Sequence, residues 1–152
     1  DVLSRNDFND MTKSEKEGMK LFKDAHCDRC HLVTGAIPSQ YYGLRFANIG
    51  LDEKDKDQGI SGMFKIPRLM NIAHTAPYMH DGRFKTLEEV VEHYSNGIKD
   101  NPNLNFILKN YDNTPMRFSF TAQQKADLVA FLKTIQDKDM LTDKKYSSPF
   151  IP

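Results

Sequence analysis

The stretch Cys27-Asp28-Arg29-Cys30-His31 decides the fold of this 152-residue chain. Its spacing, C-x-x-C-H, is the attachment signal for a c-type haem. Each thiol can add to one vinyl group of the haem, and the histidine that follows can bind the iron as its proximal ligand. The chain has only two cysteines, so one haem would use both of them. The motif therefore predicts one covalent haem held through Cys27, Cys30 and His31.

Other meanings of a C-x-x-C pair fit the sequence less well. A thioredoxin-like dithiol needs a strand–helix–strand context, and no strand-like pattern precedes Cys27. A structural zinc site needs a second Cys or His pair at close spacing. The remaining histidines do not supply such a pair: His26, His74, His80 and His93. We therefore favour a haem over a redox dithiol or a zinc site.

The length indicates one ordinary domain, and its charges are balanced. Lys+Arg and Asp+Glu number 21 each, so no strong field suggests nucleic acid or a membrane surface as partner. No apolar run approaches the roughly 20 residues that span a bilayer. No signal peptide is visible at Asp1, which indicates a mature or excised form. Because haem is attached to such motifs outside the bacterial cytoplasm, we expect a periplasmic location.

Three capping boxes predict where helices begin. Each pairs a Thr with a Glu or Gln three residues later, and they lie at residues 12–15, 86–89 and 121–124. The first helix should end near Ala25 and the second near Asn96-Gly97. Apolar residues at helical spacing follow each box and are assigned to the core, Tyr94 among them. A short helix is predicted over Arg68–Ala73, because Pro67 suits its first turn.

Helical spacing is lost between Leu32 and Met63, where glycines and the charged run 52–57 indicate long loops. Such loops are uncommon in compact domains unless they serve a function, and a chain that wraps a cofactor packs on it. We expect an all-α, cytochrome c-like helical domain around one covalent haem, with long irregular loops. Residues 1–11 are assigned to an N-terminal arm or linker, 12–136 to the haem domain and 137–152 to an irregular tail.

The distal side of the haem separates the candidate functions. Two protein ligands give an electron carrier, whereas an open position allows small molecules to bind. Met116 has the best position, because it follows Pro115 in a loop before the last helix, far along the chain from His31. Met79, His80 and an open site stay as alternatives.

Several segments resemble one family of enzymes. The stretch from Phe64 to Gly82, FKIPRLMNIAHTAPYMHDG, is similar to a signature of the bacterial dihaem cytochrome c peroxidases and the related MauG-type enzymes. The segments 86–91 (TLEEVV) and 127–132 (DLVAFL) continue the similarity in the same order. It runs from roughly Thr12 to Ile135 and points to the C-terminal half of such an enzyme.

This resemblance implies roles for particular residues. In the family, the C-terminal half holds the haem that receives electrons and passes them to a peroxide-reducing haem in the other half. The proximal ligand would fall on His31 and the distal methionine near Met116. In the MauG branch a tyrosine takes the distal role, and Tyr111 is the tyrosine nearest to Met116. Family members also bind calcium through backbone carbonyls, which fall here on Thr75 and Pro77.

The sequence departs from the family in two places. The family usually has arginine where Met70 stands, although Arg68 is two residues away. More importantly, the chain contains a single C-x-x-C-H. It therefore has no attachment motif for a second haem, the one that would cleave peroxide. We interpret the chain as an excised domain, a domain of a larger protein or a stand-alone relative.

Two functional hypotheses follow. The leading one is a single-haem electron-transfer domain, six-coordinate through His31 and Met116, that exchanges electrons with a redox protein or a second haem domain. The competing one is a peroxidase whose distal site is open or opens on reduction, with His80 or Glu89 as acid–base group near the peroxide. For His80 we favour a structural hydrogen bond near the haem over a catalytic role.

Overall fold

The computed structural model describes residues 10–31, 46–54, 60–147 and 150. Within these residues the chain forms four α-helices and one small antiparallel sheet. The sheet pairs Phe46 with Lys65 and Ala47 with Phe64. The elements are α1 (Lys13–Asp24), β1 (Phe46–Ala47), β2 (Phe64–Lys65), α2 (Leu87–Glu92), α3 (Ala122–Thr134) and α4 (Lys138–Thr142). The described fold is mainly helical, as expected, and the two short strands are an addition that the sequence pattern does not predict.

The three capping boxes begin α1, α2 and α3 at the predicted positions. Thr12, Thr86 and Thr121 each accept a hydrogen bond from the backbone N–H three residues later. The Glu or Gln side chain at that later residue accepts in return from the backbone N–H of the threonine. Each box therefore satisfies two backbone donors that a helix start otherwise leaves without a partner.

The crossing of α1 and α3 is the centre of the core. A β-carbon on Gly18 would lie 1.9 Å from the Asp127 carbonyl oxygen and 2.8 Å from Phe131 Cβ, so the two backbones touch there. Beside this point, the rings of Phe22 and Phe131 pack at a centroid distance of 5.3 Å. Both rings are buried. The close approach needs a residue without a side chain at position 18.

The second helix, α2, packs on this core and is followed by a wider, π-helical turn. Leu87 and Val91 are buried one turn apart on α2, which packs against α3. The Lys125 ammonium reaches the Glu92 carboxylate at 2.7 Å and links the two helices at the surface. After Glu92 the chain continues as a π-helical turn over His93–Gly97. Such turns are rare and occur frequently at functional sites.

Two local predictions are wrong. No helix forms over Arg68–Ala73; residues 66–69 have no regular secondary structure, Asn71 has a left-handed backbone (φ 58°, ψ 23°), and a 3-10 turn follows at Ile72–His74. A continuous helix is excluded because the left-handed residue interrupts its hydrogen bonds. The tail is also less irregular than expected: it contains α4 and a 3-10 turn at Lys144–Tyr146, each begun by an aspartate cap.

Other predictions fall partly outside the described residues. These are the N-terminal arm up to residue 9, the loop residues 32–45 and 55–59, and residues 148, 149, 151 and 152 of the tail. In the part of the chain that is described, no helix has the length and apolar character needed to cross a membrane.

Candidate haem site

The C-x-x-C-H motif forms one tight turn directly after α1. Residues Cys27–Arg29 make a 3-10 turn, and the N–H groups of Cys30 and His31 both donate to the Cys27 carbonyl, at 3.2 and 2.8 Å. Neither cysteine is in a disulfide. Both thiols and the imidazole therefore come from a single turn of backbone, which is what attachment to neighbouring groups of one haem requires.

The imidazole of His31 is arranged as a metal ligand. Its Nδ1 lies 3.1 Å from the Pro67 carbonyl oxygen. Since a carbonyl only accepts, Nδ1 carries the hydrogen and donates, and the neutral ring keeps a lone pair on Nε2. Desolvation lowers the pKa of His31, which favours this neutral form. A hydrogen-bonded Nδ1 and a bare Nε2 are the usual state of a histidine that binds a metal.

The surroundings of the motif fit a large apolar cofactor. Desolvation raises the pKa of Cys27 to about 12 and is also the main cause that raises the pKa of Cys30. It likewise raises the pKa of Tyr94, which the two thiols raise further. All three side chains, and His31, nevertheless keep part of their surface accessible. Poorly hydrated groups that are still partly accessible are suited to be covered by a haem attached through this motif.

A comparison with known protein families agrees with this geometry. Residues 15–136 match the family model described as cytochrome c. The chain belongs to the cytochrome c family. A cytochrome c domain implies covalently bound haem, which agrees with the thiols and imidazole of the motif.

Relatives of this cytochrome c domain are named as peroxidases and MauG proteins. It is 29% identical to the cytochrome-c peroxidase IdrP1 of a Pseudomonas strain, over the whole chain and 47% of that protein. It is 32% identical to the methylamine utilization protein MauG of Methylorubrum extorquens, over 80% of the chain and 34% of that protein. The chain thus spans a third to a half of the length of these curated relatives.

A solved structure gives the same result. The crystal structure of a MauG-like protein associated with microbial copper homeostasis superposes with a TM-score of 0.72 and 30% sequence identity. The match covers 91% of this chain and 51% of that one. This cytochrome c domain is therefore related to the dihaem cytochrome c peroxidases and MauG proteins and corresponds to about half of such a protein.

Tyr94 is the site residue that the sequence analysis missed. Helical spacing assigned it to the core stripe of α2, and its neighbours Leu87 and Val91 are indeed buried. The structure places Tyr94 in the π-helical turn, where desolvation raises its pKa and the Cys27 and Cys30 thiols raise it further. A tyrosine on the buried side of a helix needs a partner for its hydroxyl, and that requirement was the available signal.

The segment 48–52 is fixed against this turn. Its five consecutive carbonyl oxygens each accept a hydrogen bond from a different residue. The donors, in chain order of the carbonyls, are Asn105 N–H (3.0 Å), His93 Nε2 (3.0 Å), Lys99 N–H (2.7 Å), Arg83 Nη1 (3.1 Å) and Asn101 Nδ2 (3.0 Å). Since His93 directly precedes Tyr94, the bond to Ile49 also holds the backbone that carries the tyrosine.

The predicted distal candidates lie in different places. Met116 is half-buried, and its N–H donates to Leu108 at 2.8 Å, which closes a small loop. Tyr111 is at the tip of that loop and fully exposed. Met79 is half-buried with a left-handed backbone (φ 70°), and His80 is exposed and stacked on the Phe64 ring at 3.6 Å. No contact described for these residues joins them to the C-x-x-C-H turn, so Met116 stays a prediction.

Glu89, a candidate acid–base group, serves as a helix cap. Its Oε2 accepts from the backbone N–H groups of Lys85 and Thr86. These two hydrogen bonds are the main reason why the pKa of Glu89 lies below its ordinary value. A carboxylate that is held ionised by backbone donors is poorly suited to deliver a proton.

The predicted calcium ligands, Thr75 and Pro77, lie in an exposed loop. The hydroxyl of Thr75 donates to the Ile72 carbonyl at 3.2 Å, and Tyr78 Oη donates to the same oxygen at 3.0 Å. Among the described residues, no group of three or more His, Cys, Asp and Glu side chains is placed to hold a metal ion. Calcium binding through backbone carbonyls therefore stays a prediction.

Proposed function

We propose that this chain is a c-type cytochrome electron-transfer domain with one haem, attached through Cys27 and Cys30 and bound at the iron by His31. The observation that carries the proposal is the hydrogen bond from His31 Nδ1 to the Pro67 carbonyl, next to two thiols in one turn. When bound, the haem supplies a one-electron couple between ferric and ferrous iron. Every further property of the couple depends on what the chain places around it.

The proximal side of this chain is built to change little when an electron arrives. The bond to Pro67 fixes the ring plane of His31, and the two attachment points fix the motif on the cofactor. The partly buried Cys27 also packs against the hydrophobic core around Phe22 and Phe131. Rigid ligands of this kind keep reorganisation small, which suits rapid electron transfer.

We propose a protein ligand on the distal side as well. Met116 is the ligand that the sequence predicts, and its thioether would raise the reduction potential. Tyr94 is a second candidate: its hydroxyl is poorly hydrated, and the two thiols raise its pKa further. An anionic phenolate would stabilise ferric iron and lower the potential. The two candidates therefore predict opposite potentials.

We further propose that the domain acts as the electron-receiving part of a two-haem system in the periplasm. Its relatives bear peroxidase and MauG names, and it spans a third to a half of their length. The electron would pass to a redox protein or to a second haem domain. The Thr75 and Pro77 carbonyls remain the candidates for calcium.

The alternative is a peroxidase with an open or openable distal site that acts on hydrogen peroxide. Of its two acid–base candidates, Glu89 is engaged as a cap. His80 is stacked on Phe64. A carboxylate that backbone donors keep ionised is a poor proton donor, and this favours the relay.

Covalent attachment is tested by producing the chain with a c-type haem maturation system and staining for haem after a denaturing gel. We expect one haem per chain in the wild type and no covalent haem after Cys27→Ser plus Cys30→Ser. Asp28→Asn is the matched control, because its side chain is exposed on the same turn. Covalent haem in the double cysteine variant would contradict the proposal.

A further inference from the structure

We infer that Asn71 is a positioning residue for the proximal histidine: it fixes the loop whose Pro67 carbonyl accepts the His31 Nδ1–H. The inference rests on the proposed function, since it concerns the same site. It adds a residue that neither contacts the motif nor belongs to it. Its consequence is that the end of the last long helix, α3, helps to set the reduction potential.

Asn71 is held in an unusual conformation inside the protein. It is buried, and its backbone is in the left-handed region with φ 58° and ψ 23°. Asparagine tolerates this region better than most residues, but the conformation still costs free energy. Such a residue persists where its neighbours determine its position, and such sites cluster where function depends on exact placement.

Three contacts determine the position of Asn71. Its N–H donates to the Ile135 carbonyl at the end of α3, at 2.8 Å. Its Oδ1 accepts from the Asp137 N–H at 2.7 Å, and its Nδ2 lies 3.7 Å from Met140 Sδ. Asn71 thus joins the proximal loop to the junction between α3 and α4.

Only a few residues separate Asn71 from Pro67, whose carbonyl oxygen is hydrogen-bonded to the His31 imidazole. The Leu69 side chain is buried in the core, and its carbonyl accepts from the Ile72 N–H at 3.0 Å. Pro67 is exposed, so burial of its own side chain does not fix its carbonyl. The position of that carbonyl depends on its neighbours on both sides, with the paired strand β2 before it and anchors at Leu69 and Asn71 after it.

Loosening this anchor has a defined electronic effect. If the Pro67 carbonyl moves, the hydrogen bond from His31 Nδ1 lengthens and the imidazole becomes a weaker donor. Ferric iron is then less stabilised relative to ferrous iron, so the potential rises. Groups one step beyond the ligands commonly change metal-site properties about tenfold or more.

The test is a redox titration of the holoprotein carrying Asn71→Gly. Glycine adopts the left-handed backbone without strain and keeps the N–H to Ile135, so only the side-chain contacts are removed. We expect reduction to become several-fold to tenfold more favourable, where tenfold equals about 59 mV for one electron. The His31 Nδ1 proton should also exchange faster with solvent, as measured by NMR.

Two further variants sharpen the test. Met140→Leu removes the sulfur contact but keeps an apolar side chain of similar size, and it should leave the potential unchanged. Asp137→Pro deletes the N–H that donates to Asn71 Oδ1 and leaves Asn71 in place; because it also removes the cap of α4, Asp137→Ala, which keeps that N–H, is its control. Asp137→Pro should raise the potential in the same direction, and it serves if Asn71→Gly does not yield holoprotein.

The outcomes separate this inference from the proposed function. If Asn71→Gly and Asp137→Pro lower the melting temperature but leave the potential and the Nδ1 proton exchange unchanged, Asn71 is only structural and the inference is wrong. If the wild type shows no reversible one-electron couple, the proposed function itself fails.

Discussion

The hydroxyl of Tyr94 and the thioether of Met116 compete for the distal position. We expect Met116→Leu to remove a thioether ligand, change the ferric absorption spectrum and lower the potential. Tyr94→Phe should leave both unchanged. Electronic spectra and redox titrations of the two holoproteins decide between them. The reverse pattern, with Tyr94→Phe altering the spectrum and Met116→Leu silent, would identify Tyr94 as the ligand instead.

The carboxylate of Asp127 should make the protein less stable as the pH falls into the acid range. Ser14 Oγ and Gln123 Nε2 both donate to Oδ1, at 2.5 and 2.9 Å, and lower the pKa of Asp127. A carboxyl with a lower pKa in the folded state adds stability at neutral pH. That contribution is lost as the pH falls below the unfolded value of about 3.9 and through the folded pKa.

Asp127→Asn should therefore weaken the dependence on acid pH. We expect the wild type to lose its free energy of unfolding faster than the variant below about pH 4, as measured by urea denaturation at several pH values. Ser14→Ala, which removes the first of the two donors, should show part of the same effect. Parallel curves for wild type and Asp127→Asn would show that the carboxylate is not linked to folding.

At the level of elements, the contact between α1 and α3 depends on Gly18. A methyl group there would overlap the Asp127 carbonyl oxygen and press on Phe131. We expect Gly18→Ala to destabilise the holoprotein by at least about 1–3 kcal/mol, the usual cost of overpacking. Urea denaturation measures it.

Gly97→Ala is the control for that substitution. Its added β-carbon would come no closer than 3.4 Å to His93 Nδ1, a distance that small shifts accommodate. We expect a change within about 0.5–1 kcal/mol. Equal losses in the two glycine variants would mean that the helix crossing is not as tight as the structure indicates.

The elements also show how far the sequence alone predicts this fold. The helix starts were predictable because a threonine and an acid or amide three residues later satisfy each other's backbone donors locally. The proximal turn at Asn71 was not, because its left-handed backbone is fixed by Ile135 and Asp137, more than 60 positions away. A local sequence pattern predicts local hydrogen bonds. The helix predicted over Arg68–Ala73 was wrong because long-range hydrogen bonds fix that segment.

The same division applies to the candidate site. The five-residue motif identified Cys27, Cys30 and His31 because the chemistry lies within one turn. The distal side is assembled from separate segments, so chain position alone suggested Met116. Tyr94, assigned by spacing to the core, becomes a candidate only in the folded chain, where the two thiols raise its pKa.

As a whole molecule, the domain is proposed to be an electron relay in which the protein would fill both axial positions of its haem. A chain that spans half of a MauG-like structure and carries one C-x-x-C-H fits the role of one partner in a two-haem system. A filled distal position separates a relay from a peroxidase, because peroxide needs an open coordination site.

Cyanide binding to the ferric holoprotein, followed by stopped-flow spectroscopy, tests this claim most directly. We predict slow binding whose rate levels off with cyanide concentration, because a protein ligand must leave the iron first. Rapid binding whose rate rises in proportion to cyanide concentration would show an open site and contradict the account.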